Sequence, residues 1–249
     1  MYHQIKRTID NYIDEYSDFI GINYSPNYEL QLKEVSIERA DVYGIESPAN
    51  TQFLIDLQKH ILCIATNLPL EKYIAFHEFT HMIDSELYVK GSKARKMGLG
   101  GYTEYHASQI GFAELLGAST VNNIKPFSMN DMCNTVLGNK SILEYVQEKQ
   151  QTAISLFSRK GFPESFKQLY EYLGVLFNYW GLRSICEMYA TDFVENVDNV
   201  RFMALIPSNH FCAINRLMHG WLEEEQIEQS IVIYNEIIFT IVNQWHLLS

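Results

Sequence analysis

A chain of 249 residues with 47% hydrophobic and 20% charged side chains has the make-up of a globular protein long enough to bury a core without disulfides or structural metals. Its 14 Phe, 16 Tyr and 3 Trp, against only 13 Gly and 6 Pro, exclude disorder as the main state. A net charge of −11 argues against extensive nucleic-acid contact, which needs Lys and Arg to neutralise phosphates.

Residues 2–20 read as an amphipathic helix. Ile5, Ile9, Tyr12, Ile13, Tyr16 and Ile20 recur at steps of three and four, with Asp10, Asp14 and Asp18 on the other side. This start has no apolar core of the signal-peptide kind. Residues 21–66 change character: VSI (35–37), VYGI (42–45), FLIDL (53–57) and HILCIA (60–65) read as short strands between turns, the last two forming a hairpin across Gln58-Lys59. Asn67-Leu68-Pro69 reads as the start of a helix that runs to about Leu87 and is apolar on most sides. Residues 88–103, with Lys90 to Lys96 and GLGG (98–101), read as a loop, solvated or acting as a lid; Thr103 then caps a helix from Glu104 to about Leu116. Ala118 to Asn139 is the linker candidate. From residue 140 the patterns are helical. One segment opens at Pro163. The last carries a seam of Ile227, Ile231, Tyr234, Ile238, Ile241 and Trp245, expected to pack along another helix. The run from Tyr172 to Trp180 is too short to span a bilayer, and its Phe177, Tyr179 and Trp180 read as core. Cys63, Cys133, Cys186 and Cys212 form no CxxC pair and read as small buried hydrophobes of a reduced, cytoplasmic protein.

The chemistry-bearing motif is His77-Glu78-Phe79-Thr80-His81, an HExxH. On a helix, residues i and i+4 share a face, so two imidazoles can converge on one ion. Zinc suits such ligands, and a catalytic zinc needs a third protein ligand and an open position. Glu104, 23 residues after His81, is the leading candidate for that ligand. The rival is His106, which points to nearly the opposite side of the same helix, so that both cannot bind one metal. Glu114 and Glu86 rank behind. Asp84 reads either as a surface group or as an acceptor that holds a ligand imidazole. Glu78 lies about 100° around the helix from His77, placed to act as general base on water rather than as a ligand. For the oxyanion, Tyr102, Tyr105, His106, His210 and His219 are all candidates.

HEFTHMID followed by TEYHASQIGFAELL resembles the gluzincin-type zinc metallopeptidases, and most nearly the ImmA/IrrE-type family, which couples a helix-borne HExxH to a downstream pattern like E-x-x-A-x-x-F-A-x-E-L-L. Glu104 and Ala107 match the start of that pattern. Phe112-Ala113-Glu114-Leu115-Leu116 matches with a register shift, and Gly117-Ala118 stands where a Pro is usual. The HExxH with nearby Asp84 also resembles the catalytic domain of anthrax lethal factor. The resemblance covers residues 30–118. It implies peptide-bond hydrolysis and, for the first family, cleavage of a regulatory protein in the bacterial cytoplasm, often linked to mobile elements.

The expected fold is α+β: a small mixed sheet packed on the HExxH helix and a Glu-bearing helix, with a mainly helical C-terminal half. The expected division is a catalytic region at 1–120 and a helical region at 121–249. The expected function is a zinc-dependent metallopeptidase with Zn2+ on His77, His81 and Glu104, a protein or peptide substrate, and no nucleic-acid or membrane partner. A strand at 53–57 or 60–65 is expected to pair with the substrate backbone. The alternative is a non-catalytic regulator that retains the zinc site.

Overall fold

The computed structural model describes residues 1–35, 48–195 and 200–248. The fold is α+β, with two small sheets and a mostly helical second half. Helix α1 (Tyr2–Ile20) buries Ile9, Ile13, Tyr16 and Phe19 and ends at Gly21, whose left-handed φ of 71° stops the helix. Its buried face packs on the helix that carries the HExxH. The Tyr16 hydroxyl lies 3.0 Å from Thr80 Oγ1, and its ring meets Phe76 and Phe79 edge-on.

Strands β1 (Tyr28–Lys33), β2 (Ala49–Leu54) and β3 (Lys59–Ala65) form a mixed sheet in the order β1-β3-β2, with β1 parallel and β2 antiparallel to the central β3. The hairpin expected between 53–57 and 60–65 is present, but its first strand begins at Ala49, and Ile55–Leu57 is a 3-10 turn. Gln58 adopts a left-handed φ of 46° after it, and its side-chain amide donates back to the Ile55 carbonyl. The alternation Tyr-Glu-Leu-Gln-Leu-Lys marks β1, a strand the sequence reading passed over. Of the strands expected at 35–37 and 42–45, all but Val35 falls outside the described residues.

Helix α2 (Lys72–Tyr88) starts later than expected from Pro69. Asn67 does not cap it: its amide instead bridges the backbone of Val35, accepting at 3.0 Å and donating at 2.8 Å. The larger correction concerns residues 88–103. Helix α3 (Lys93–Leu115) begins there, capped by the Ser92 hydroxyl, and GLGG lies inside it. Thr103 is an interior residue of this helix and not its cap. The glycines serve close approach. A Cβ at Gly101 would sit 2.5 Å from the Tyr234 ring, and one at Gly98 would sit 2.7 Å from the Ile231 carbonyl oxygen. The basic run is a tether rather than a lid. Arg95 holds both carboxylate oxygens of Glu228 at 2.8 and 2.7 Å and pulls that carboxyl down to about 2, while Lys96 donates to the Phe53 carbonyl.

The linker candidate at 118–139 contains strand β4 (Met132–Thr135), which pairs with β5 (Gly138–Ser141) in a hairpin. Helix α4 (Ile142–Phe157) follows, opened by a capping box of Ser141 and Glu144. Then come α5 (Phe166–Tyr189), α6 (Val200–Met203), α7 (Ser208–Leu217) and α8 (Glu224–Leu248). The seam of α8 is buried at Ile227, Ile231, Tyr234, Ile238 and Ile241, as its spacing predicts. One hydrophobic cluster contains Phe76 and Phe79 from residues 1–120 and Phe177, Trp180 and Tyr234 from residues 121–249. All four cysteines are free. Cys133 and Cys186 are buried as expected, but Cys63 is half-buried and Cys212 is exposed.

The crossing of α3 and α5 is tight at Gly181, where a Cβ would collide with the Tyr105 carbonyl and lie 2.8 Å from Ser108 Cβ. Gly181→Ala should therefore cost about 1–3 kcal/mol of stability through overpacking, read by urea denaturation. Parent-level stability would mean that this crossing yields without strain.

Candidate metal centre

His77 and His81 stand one turn apart on α2, and their Nε2 atoms lie 3.0 Å from each other. Glu104, on α3, places Oε2 3.7 Å from each of them. Ligand atoms about 2.0–2.2 Å from one ion at tetrahedral angles lie about 3.3 Å apart, so these three separations bracket what one small cation requires. Two imidazole lone pairs at 3.0 Å repel unless a cation or a proton lies between them, and the carboxylate completes a donor set that suits a metal ion. Among the described residues, this is the one group of His, Cys, Asp and Glu side chains so arranged.

Local sequence explains the approach. Gly111 of α3 faces α2, where a Cβ would lie 2.8 Å from the Tyr73 carbonyl oxygen and 3.4 Å from His77 Cβ. The charges are mutually reinforcing. Burial opposes charging the His77 imidazole, but the hydrogen bond and charge of Glu104 outweigh it and hold its pKa above the ordinary value. Burial likewise opposes charge on Glu104, and His81 and His77 together pull its carboxyl below the usual range.

A second layer orients the triad. Thr103 Oγ1 lies 2.8 Å from His81 Nδ1; a proton on Nδ1 shared with that oxygen leaves the Nε2 lone pair bare. Asn178 of α5 donates from Nδ2 to Glu104 Oε2 at 2.6 Å, and its own Oδ1 accepts from the Ser108 hydroxyl. Neither Thr103 nor Asn178 was expected in these roles. Thr103 was within reach of sequence reasoning, as the neighbour of Glu104. Asn178 carries no local signal, because it arrives from 74 residues downstream.

The other candidates lie elsewhere. His106 points away from the triad: its Nδ1 is 3.0 Å from the buried Asp84, and its ring stacks on Tyr102. Asp84 therefore holds His106 and not a ligand imidazole. Glu114 pairs with Lys72 at 3.1 Å, and Glu86 pairs with His60 at 2.9 Å. Tyr105 donates to the Gly220 carbonyl, Tyr102 is buried beside Tyr88, His210 faces Glu236, and His219 faces Glu187.

The triad and Glu78 form the floor of a cleft of about 570 Å³. One wall is β2 with the preceding Pro48; the other is the β4–β5 hairpin with Tyr145 and Lys149 of α4. Glu78 is only 5% exposed. Tyr73 and Tyr145 line the cleft in place of the tyrosines proposed from sequence. Tyr73 sits four residues before His77 on the same face of α2, a spacing that could have revealed it. Tyr145 has no such mark. Of the two strands suggested for pairing with a substrate, 60–65 is the central strand and already bonded on both sides; among the described residues β2 is the edge.

Comparison with family models, with curated proteins and with solved structures finds no match for this chain. No helix among the described residues is long and apolar enough to cross a membrane.

Removing the outer support should loosen the metal without unfolding the protein. Thr103→Val and Asn178→Ala are each expected to weaken zinc binding by about 10–100-fold in a competition titration against a chromophoric chelator. Glu104→Ala should weaken it at least as much, while His106→Ala keeps the parent affinity. The opposite pattern for Glu104 and His106 would transfer the third ligand to His106.

Proposed function

We propose that the chain is a zinc-dependent metallopeptidase of gluzincin type that hydrolyses peptide bonds of a protein substrate. The observation that carries this reading is the meeting of His77, His81 and Glu104 within 4.8 Å of one another on the floor of a cleft that also holds Glu78. Two imidazoles and one carboxylate are the donor set of catalytic zinc. When bound, such an ion supplies Lewis acidity, polarising a carbonyl and bringing the pKa of water towards ~7.

The rest is work for the chain's own side chains. Glu78 follows His77 directly and is turned about 100° from it, so its carboxylate stands beside the triad rather than within it. It accepts the proton of the attacking water and returns it to the nitrogen of the leaving amine. Tyr73 and Tyr145 supply phenolic O–H donors at the cleft for the charge that develops on the carbonyl oxygen. The Tyr73 oxygen already accepts from the Val136 N–H, which steadies the ring and leaves its own proton available to donate. Residues 49–51 of β2 border the floor, where an extended peptide can add a strand to the sheet. The four free thiols fit an intracellular setting.

Glu78→Gln separates this mechanism from metal binding alone. The amide keeps the size of the side chain and cannot take the proton. Zinc content and fold should match the parent, and peptide hydrolysis should fall by about 10²–10⁴-fold. Cleavage at the parent rate in this variant, with loss in His77→Ala, would remove Glu78 from the mechanism. A zinc-loaded parent that cleaves nothing in a broad peptide library would favour the non-catalytic regulator.

A further inference from the structure

The cleft carries a cation that the hydrolytic chemistry leaves unused. Two lysines line its wall, Lys140 from β5 and Lys149 from α4. Lys140 is neutralised by Glu148 at 2.5 Å. That pairing takes the carboxylate next to Lys149 in sequence, and among the described residues Lys149 has no acidic group within ion-pair distance of its own. Its ammonium lies 5.6 Å from the centre of the Tyr145 ring. That ring is stacked on the buried Phe112, with centroids 5.9 Å apart, so the lysine stands on a rigid base. The side chain is exposed and lines the cleft, and desolvation by the neighbouring protein pushes its pKa below the ordinary lysine value, against the opposing charge of Glu148. An exposed ammonium on a binding wall, with no described carboxylate paired to it and close enough for its charge to bear on His77, is placed to take an incoming anion.

We propose that Lys149 is a specificity-determining residue: it receives a carboxylate of the bound peptide, from an Asp or Glu side chain or from a free C-terminus, on the α4 wall facing β2. The inference rests on the reading of the cleft as a peptide site. With a net charge of −11, the chain as a whole repels acidic ligands at long range, so the preference must come from this local contact and not from steering.

The test uses the zinc-loaded Glu78→Gln protein, full length, and fluorescent end-blocked peptides in which a single Asp is moved along the chain and compared with Asn at the same place. A second arm compares free with amidated C-termini in peptides that lack acidic side chains. Binding is read by anisotropy. In one of the arms the carboxylate should tighten binding by about tenfold or more at one fixed position. Adding Lys149→Met should abolish that preference, and adding Lys149→Glu should invert it in favour of a Lys peptide. Equal binding of the charged and neutral peptides, a preference that survives Lys149→Met, or binding of no peptide would each overturn the proposal. Hydrolysis by the parent is scored separately. Peptides that bind with a Lys149-dependent preference and are never cut would sink the peptidase reading and leave this contact standing; peptides that are cut without any acidic preference would do the reverse.

Discussion

Two imidazoles and a carboxylate converge only where the helices that bear them lie nearly backbone to backbone, and glycine is what lets α2, α3 and α5 do so. Gly111 admits α2 to α3, and Gly181 admits α3 to α5. On the far side, Gly98 and Gly101 let α8 press on α3, where the Arg95–Glu228 pair secures it. A larger side chain at any of these places would push a helix outward by more than the few tenths of an ångström that ligand geometry tolerates. The candidate metal centre thus depends on residues that have no functional group at all.

Around that constraint the charges are distributed economically for an acidic protein. The carboxylate of Glu104 is offset by two imidazoles and steadied by a neutral amide, Asn178, which adds a hydrogen bond without adding charge. Lys140 and Glu148 cancel each other on the wall. Among the described residues, the cleft-lining charges left without an ion pair are one acid, Glu78, and one base, Lys149. These are the two groups to which we assign proton transfer and substrate choice.

Sequence patterns made the histidine pair and the long helices legible because both obey short-range rules. The i, i+4 spacing of His77 and His81 needs only helical geometry, and the seam of α8 shows in its periodicity. The errors share a cause. GLGG reads as a loop because glycine in a sequence does not distinguish a flexible segment from a contact face. Lys90 to Lys96 reads as a solvated loop or a lid because the partner of Arg95, Glu228, lies 133 residues away. Asp84 was a candidate partner for a ligand imidazole because HExxH arithmetic places it nearby, yet the packing of α3 gives it His106. Tyr145, Lys149 and Asn178 enter the cleft only through tertiary folding, and no local pattern announces them.

The order of these elements along the chain has a kinetic side. His81 and Thr103 are separated by 22 residues, so α2 and α3 can find each other through a short loop closure early in folding. The amide that holds Glu104 belongs to α5 and must close a span of 74 residues. During synthesis the ligand pair on α2 therefore emerges and meets its carboxylate well before Asn178 has left the ribosome. A nascent chain passes through a stage at which the donor atoms are present but loosely held. Docking of α5 adds the Asn178 hydrogen bond to Glu104, so the donor set reaches its final geometry late, when a helix from the second half of the chain packs against it.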